Sequence, residues 1–121
     1  MSARPSAPVL VLEHDPDIRA AITALLETMG FQTVGVGDAA SAHRFLARRV
    51  PCMIVADVVA DGWDLGSARA RDERLARVPV IGLLPSGDGA DVAVTLGVVG
   101  AARKPLDFDE LERLLERHCP A

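Results

Sequence analysis

Apolar residues fall into two rhythms along this chain. Val9–Leu12, Met53–Ala56 and Val78–Leu84 are short runs that are apolar nearly throughout and stop at polar or turn residues. Runs of this kind read as strands buried on both faces, as in parallel sheets. Between them apolar residues recur every three or four positions. Ile18, Ala21, Ile22, Leu25, Leu26 and Met29 form one stripe, and Phe108, Leu111, Leu114 and Leu115 another. Each predicts a helix with one face on a core.

The punctuation agrees with these rhythms. Asp15 is placed to cap the first helix with Pro16 at its first position, and Gly30 to stop it. Phe31–Gly37 reads as a second strand, weakened by two glycines. Asp38 caps a second helix with Ala39, Ala42 and Leu46 inward and His43 partly buried on the same side. A third helix is expected within 62–77, with Trp63 and Leu65 at its start and a charged, solvated body of Arg69, Arg71, Asp72, Glu73, Arg74 and Arg77. Residues 88–96, flanked by Gly87, Gly89 and Gly97, read as a short helix and the least stable element. Gly100–Arg103 is a short fifth strand before Lys104-Pro105. Asp107 with Glu110 makes a capping box for the last helix. Five strand–helix units in alternation imply an α/β fold, a parallel sheet with helices on both faces and right-handed crossovers.

Length and composition narrow the function. The 121 residues suit one domain, expected at 9–121 behind a short flexible tail at 1–8. The net charge of −4 argues against a nucleic-acid-binding surface. No apolar run nears the roughly 18 residues of a membrane span, and the first residues lack a signal-peptide core. Cys52 and Cys119 show no metal spacing and read as inert, reduced thiols, so the expected location is the cytoplasm.

Three strand ends carry charge toward one sheet edge: Glu13 after the first, Asp57 after the third and Lys104 after the fifth. Each alone is an ordinary solvated strand end. Together, two carboxylates and a lysine can hold a divalent cation and a phosphoryl group, at the edge where open α/β sheets bind ligands. The segments VLVLEHDPDIRAAI, MIVADVVADGWDL, VPVIGLLP and GVVGAARKPLDFDEL resemble the receiver domain of two-component response regulators, from Val9 to about His118. The resemblance implies a flavodoxin-like (βα)5 three-layer sandwich with strand order 2-1-3-4-5. It implies that Asp57 is the phosphoacceptor and that Lys104 contacts the phosphoryl group. Glu13 falls at the first of two adjacent acids that bind Mg2+ together with Asp57, and Pro105 follows a cis peptide bond. The implied partners are a histidine kinase or phosphotransfer protein upstream and a protein read-out downstream, with no enzymatic role of its own. The downstream face would be formed by the fourth helix, fifth strand and fifth helix, with Val92, Arg103, Arg113 and Arg117 as candidates. A homodimer is left open.

The chain departs from the family at several positions. The second acid is His14, and imidazole is a poor Mg2+ ligand, so a weak or absent Mg2+ site is expected. Asp15 or Asp61 could contribute through water. His14 is expected to pair with Asp57 in place of the cation, and the alternative is a transition-metal ligand beside Glu13 and Asp57. The switch hydroxyl is Leu84, with Ser86 two residues on, and the switch aromatic is Ala101. The proline four residues after the phosphoacceptor is Asp61. Trp63 either covers the pocket or packs at its helix start. Two readings follow: a phosphorelay receiver, or a pseudo-receiver that binds protein independently of phosphate. A flavodoxin-like enzyme or nucleotide binder finds no support, because no glycine-rich phosphate loop follows the first strand.

Overall fold

The computed structural model describes residues 5–57, 65–85 and 98–119. Five strands, β1 (Val9–Leu12), β2 (Thr33–Val36), β3 (Met53–Asp57), β4 (Val80–Leu84) and β5 (Gly100–Arg103), form one parallel sheet in the order β2-β1-β3-β4-β5. The helices are α1 (Pro16–Thr28), α2 (Ala39–Leu46), α3 (Leu65–Arg71), the single turn α4 (Glu73–Ala76) and α5 (Phe108–His118).

The apolar strands divide their side chains between two cores, because alternate residues point to opposite faces. Val9, Val11, Met53, Val55, Ile81 and Leu83 pack with Ile22 and Leu26 of α1 and Leu111 and Leu115 of α5. Leu10, Leu12, Ile54, Ala56 and Val80 pack on the other face with Ala42 and Leu46 of α2 and Leu75. These central strands are covered on both faces, which explains why β1, β3 and β4 carry unbroken apolar sequence.

Local signals set the helix ends. Asp15 accepts hydrogen bonds from Asp17 N (2.8 Å) and Ile18 N (3.2 Å) at the start of α1. Gly30, with φ 97°, adopts the left-handed conformation that follows the helix. Asp38 caps α2 through Ser41 N at 2.7 Å, and Asp107 caps α5 through Asp109 N and Glu110 N.

Several expectations need correction. The third helix is not continuous: α3 ends at Arg71, and Asp72 leaves helical geometry (φ −136°, ψ 108°) to cap α4 by accepting from Arg74 N. An aspartate mid-helix can bond its own neighbouring backbone instead of continuing the ladder. Ala21 is exposed, so the α1 stripe is narrower than its spacing suggests. Phe108 is 37% exposed, because it lies on the first turn of α5 ahead of the buried Leu111 and Leu115. β2 spans only Thr33–Val36, while Phe31 is buried ahead of it. Pro8 is buried, and its carbonyl accepts from Cys52 N at 3.0 Å, so the end of the N-terminal segment is tied to the sheet. The expected helix at 88–96 lies outside the described residues, as does the start of the expected third helix.

Candidate active site at the carboxyl edge of the sheet

Register brings the charged residues together. Leu12 pairs with Ala56 across β1 and β3, so Glu13 and Asp57 leave the sheet side by side. Asp57 in turn pairs with Leu83, and Lys104 N donates to Leu84 O at 2.9 Å, which carries the β5 pairing one residue further. The Lys104-Pro105 peptide is cis. Glu13, Asp57 and Lys104 therefore meet at one place although they are up to 91 residues apart in sequence.

Glu13 is fully buried and Asp57 is 3% exposed, the two buried charged groups among the described residues. Charge at such burial requires a partner, and Lys104 provides it. Its Nζ lies 2.7 Å from Asp57 Oδ1, 3.1 Å from Glu13 Oε1 and 2.8 Å from Glu13 Oε2. The contact to Oε2 is an ion pair whose angles fall outside a hydrogen bond, so that oxygen has no hydrogen-bond donor. Asp15 N donates to Glu13 Oε1 at 3.1 Å.

His14 sits on the other side of Asp57. Its Nδ1 is 3.1 Å from Asp57 Oδ2 and 3.3 Å from Glu13 Oε1, and its backbone N points at the same Oδ2 from 3.5 Å. Since a carboxylate only accepts, Nδ1 carries the proton in this arrangement. The imidazole remains 78% exposed, so it rests on the site from the solvent side.

Burial alone would push the Asp57 carboxyl up. Hydrogen bonds from Lys104 and His14, together with the Lys104 charge, outweigh it and hold Asp57 below the usual carboxylate range. Partial burial works against the Lys104 charge, but the hydrogen bonds and charges of Asp57 and Glu13 prevail and hold the ammonium above an ordinary lysine. The site is thus an ionised aspartate clamped to a charged lysine.

One contributor was not foreseen. Arg19, one turn into α1, donates from Nη1 to Glu13 O at 2.8 Å. Its stem lies over Gly35, where a Cβ would stand 3.3 Å from Cγ and Cδ, and its guanidinium lies over Gly37, where a Cβ would be 2.7 Å from Nη1. The glycines that weakened β2 as a strand signal therefore form the track along which Arg19 reaches the site. Glycine at alternate strand positions beside a long cation one helical turn past the cap is the signal that could have revealed it.

The other candidates separate clearly. The Asp15 carboxylate is committed to capping α1. Leu84 is buried and Ala101 exposed, so neither place offers a hydroxyl or a ring. Arg103, Arg113 and Arg117 line one open groove of about 330 Å3 between β5 and α5, together with Ala101 and Leu114. Asp61, Trp63, Ser86 and Val92 lie outside the described residues.

Glu13, His14 and Asp57 each offer a ligand atom, all within 4.8 Å of one another. Mg2+ asks for an octahedron of oxygens. This set supplies an imidazole where the second acid is expected, and an ammonium already bridges both carboxylates. The donor chemistry does not fit Mg2+.

Comparison with known proteins agrees with this geometry. The chain is similar to an NtrX-like response regulator of Rickettsia bellii, 30% identical over 118 residues, covering 92% of this chain and 24% of that protein. It therefore spans about a quarter of that relative's length. It is similar in structure to a response regulator receiver protein from Pseudomonas putida, with a TM-score of 0.79 and 26% identity over 98% of this chain and 100% of that one. It is also similar to the receiver domain of a sensor histidine kinase from Pseudomonas aeruginosa, with a TM-score of 0.77 and 28% identity over 93% and 97% of the two chains. That domain holds a magnesium ion in its active-site cleft. No family model matches the chain. Sharing its sheet order, and nearly its full length, with these proteins, the chain belongs to the receiver domains of two-component signalling.

Proposed function

We propose that this receiver accepts a phosphoryl group on Asp57 from a histidine kinase or phosphotransfer protein and signals by binding another protein. The observation that carries the proposal is the 2.7 Å pair between Asp57 Oδ1 and Lys104 Nζ, anchored on the buried Glu13. It leaves Asp57 ionised, as a nucleophile must be, and places a fixed cation beside the oxygens where phosphoryl charge would gather. In the proposed step an Asp57 oxygen attacks phosphorus, a P–O bond forms and the P–N bond to the donor imidazole breaks. Asp57 Oδ2 is the oxygen not held by Lys104, and the exposed His14 swings off it toward solvent to admit the donor. Because the donor set does not suit Mg2+, charge neutralisation falls mainly on Lys104 and transfer is slow. The read-out surface in this proposal is the arginine-lined groove of β5 and α5.

A second reading, the pseudo-receiver, is favoured by one observation: both Asp57 oxygens are already engaged, one by Lys104 and one by His14. With Leu84 and Ala101 at the switch positions, phosphate-linked states lack their usual contacts. Titration with beryllofluoride, a phosphoryl mimic, separates the readings when followed by amide NMR. Shifts at Glu13, Asp57 and Lys104 that vanish in Asp57→Ala support the receiver reading. A spectrum that does not move supports the pseudo-receiver.

A further inference from the structure

We propose that the end of α2 carries a docking surface of its own, a groove of Arg44, Phe45, Arg48 and Arg49 that takes an acidic segment of a partner protein with an apolar anchor. The groove lies toward the amino edge of the sheet, away from Asp57. The helix starts where β2 leaves the carboxyl edge and runs back toward the start of β3. The proposal stands apart from whether Asp57 is ever phosphorylated.

Three observations carry it. The first is the way the helix ends. Arg48 N and Arg49 N both donate to Phe45 O, at 3.0 and 2.9 Å, and Ala47 N donates to His43 O at 3.0 Å. Backbone bonds thus fix Arg48 and Arg49 on the groove that Phe45 also lines. The second is charge. Arg44, Arg48 and Arg49 are exposed, and no carboxylate lines the groove. Among the described residues Arg48 and Arg49 have no ion-pair partner. Arg44 donates to Ser41 Oγ at 2.9 Å, and Asp38 at the far end of the helix is engaged with Ser41 N. A cation at a helix C-terminus already favours the dipole, but three on one groove, in a chain of net charge −4, exceed that need. The third is the floor. Phe45 is half-buried, packed on the core beneath α2 and open to the groove. An anchored aromatic among arginines is the composition that concentrates binding energy in protein interfaces.

Charge complementarity selects the occupant. A guanidinium donates paired N–H bonds to a carboxylate, and the ring offers an apolar contact between such pairs. A groove of about 380 Å3 holds a few side chains, which suits a short segment. Nucleic acid asks for a longer basic track, and a bilayer for a larger basic cluster or an inserted apolar face. The groove of β5 and α5 is less selective for acid, because Glu110 stands among its arginines.

The test titrates a capped hexapeptide, two leucines between pairs of glutamates, into the isotope-labelled chain and follows amide NMR. The expected result is saturable shifts at Arg44, Phe45, Arg48 and Arg49, with a Kd of about 1 mM or tighter at low salt that weakens as salt rises. Arg48→Gln combined with Arg49→Gln is expected to weaken binding at least about threefold. Serines in place of the leucines weaken it, and lysines in place of the glutamates abolish it. Both arginines are exposed, so the double variant is compatible with folding, and an unchanged melting temperature checks this. Should it melt early, Arg44→Gln alone gives the same readout. Absence of saturable shifts at these residues overturns the proposal, and so does unchanged affinity in the variant or for the serine peptide. So do shifts that centre on Arg103, Arg113 and Arg117, and so does tighter binding at this groove by a single-stranded oligonucleotide or by phosphatidylglycerol vesicles.

Discussion

Replacing Lys104 with methionine tests the electrostatic core of the site. The substitution keeps most of the stem and removes the charge. It leaves Glu13, fully buried, and Asp57, 3% exposed, without the cation that lies 2.7–2.8 Å from both. Removing one partner of a buried ion pair costs about 3–5 kcal/mol. The Lys104 side chain is 19% exposed, and screening by water places the expectation at the lower end, about 3 kcal/mol. For a chain of this length that lowers the melting temperature by about 12 °C, at roughly 4 °C per kcal/mol. Urea denaturation at pH 7 and near pH 5 supplies the decisive contrast. At pH 7 the variant must bury two unpaired carboxylates. Toward pH 5 burial lets one take up a proton, so the deficit relative to wild type shrinks. Arg74→Ala, which removes an exposed pair with Asp72, serves as the control and should leave the midpoint unmoved. A loss below about 1 kcal/mol at pH 7, or a deficit equal at both pH values, would refute the reasoning.

Wild-type stability should be nearly flat between about pH 5 and 9. Asp57 is depressed, so its contribution is present above the unfolded carboxyl range and is lost as pH falls through its folded value. Lys104 is raised, so its contribution is present below the unfolded lysine value and is lost as pH rises through its folded one. Urea midpoints across pH check both flanks. Asp15→Ala removes the cap that accepts from Asp17 N and Ile18 N and should cost about 1 kcal/mol in chemical denaturation. Gly100→Ala would set a Cβ 2.8 Å from Leu114 Cδ1 and 3.2 Å from His118, and calorimetry should show a loss of about 1–3 kcal/mol. Gly37→Ala should displace the Arg19 guanidinium, seen as amide NMR shifts at Glu13 and His14, while the sheet persists.

The residues that announced the fold were those whose surroundings leave little choice. Val9–Leu12 and Met53–Ala56 are apolar throughout because both faces of the central strands are covered, and Asp15-Pro16 and Gly30 mark α1 because helix ends demand those types. The juxtaposition of Glu13, Asp57 and Lys104 was legible once strand ends were aligned on one edge, and the pairing of His14 with Asp57 followed from a base standing where an acid was expected. Less legible were features decided by competition between neighbours. Spacing cannot say that Asp72 prefers to cap a new turn over continuing α3, nor that Ala21 and Phe108 lie at the margins of their stripes. Arg19 escaped notice because its partner is a backbone carbonyl, which no residue type advertises.

The central claim is that Asp57, clamped to Lys104, is still a phosphoryl acceptor although His14 replaces an acid. Intact-protein mass spectrometry after incubation with a small phosphoramidate donor tests it directly, with Asp57→Asn and His14→Asp beside the wild type. The account predicts one phosphoryl group gained by the wild type, faster gain by His14→Asp and none by Asp57→Asn. A wild type that gains nothing while His14→Asp gains one group would contradict it, and would make His14 the residue that turns this receiver into a pseudo-receiver.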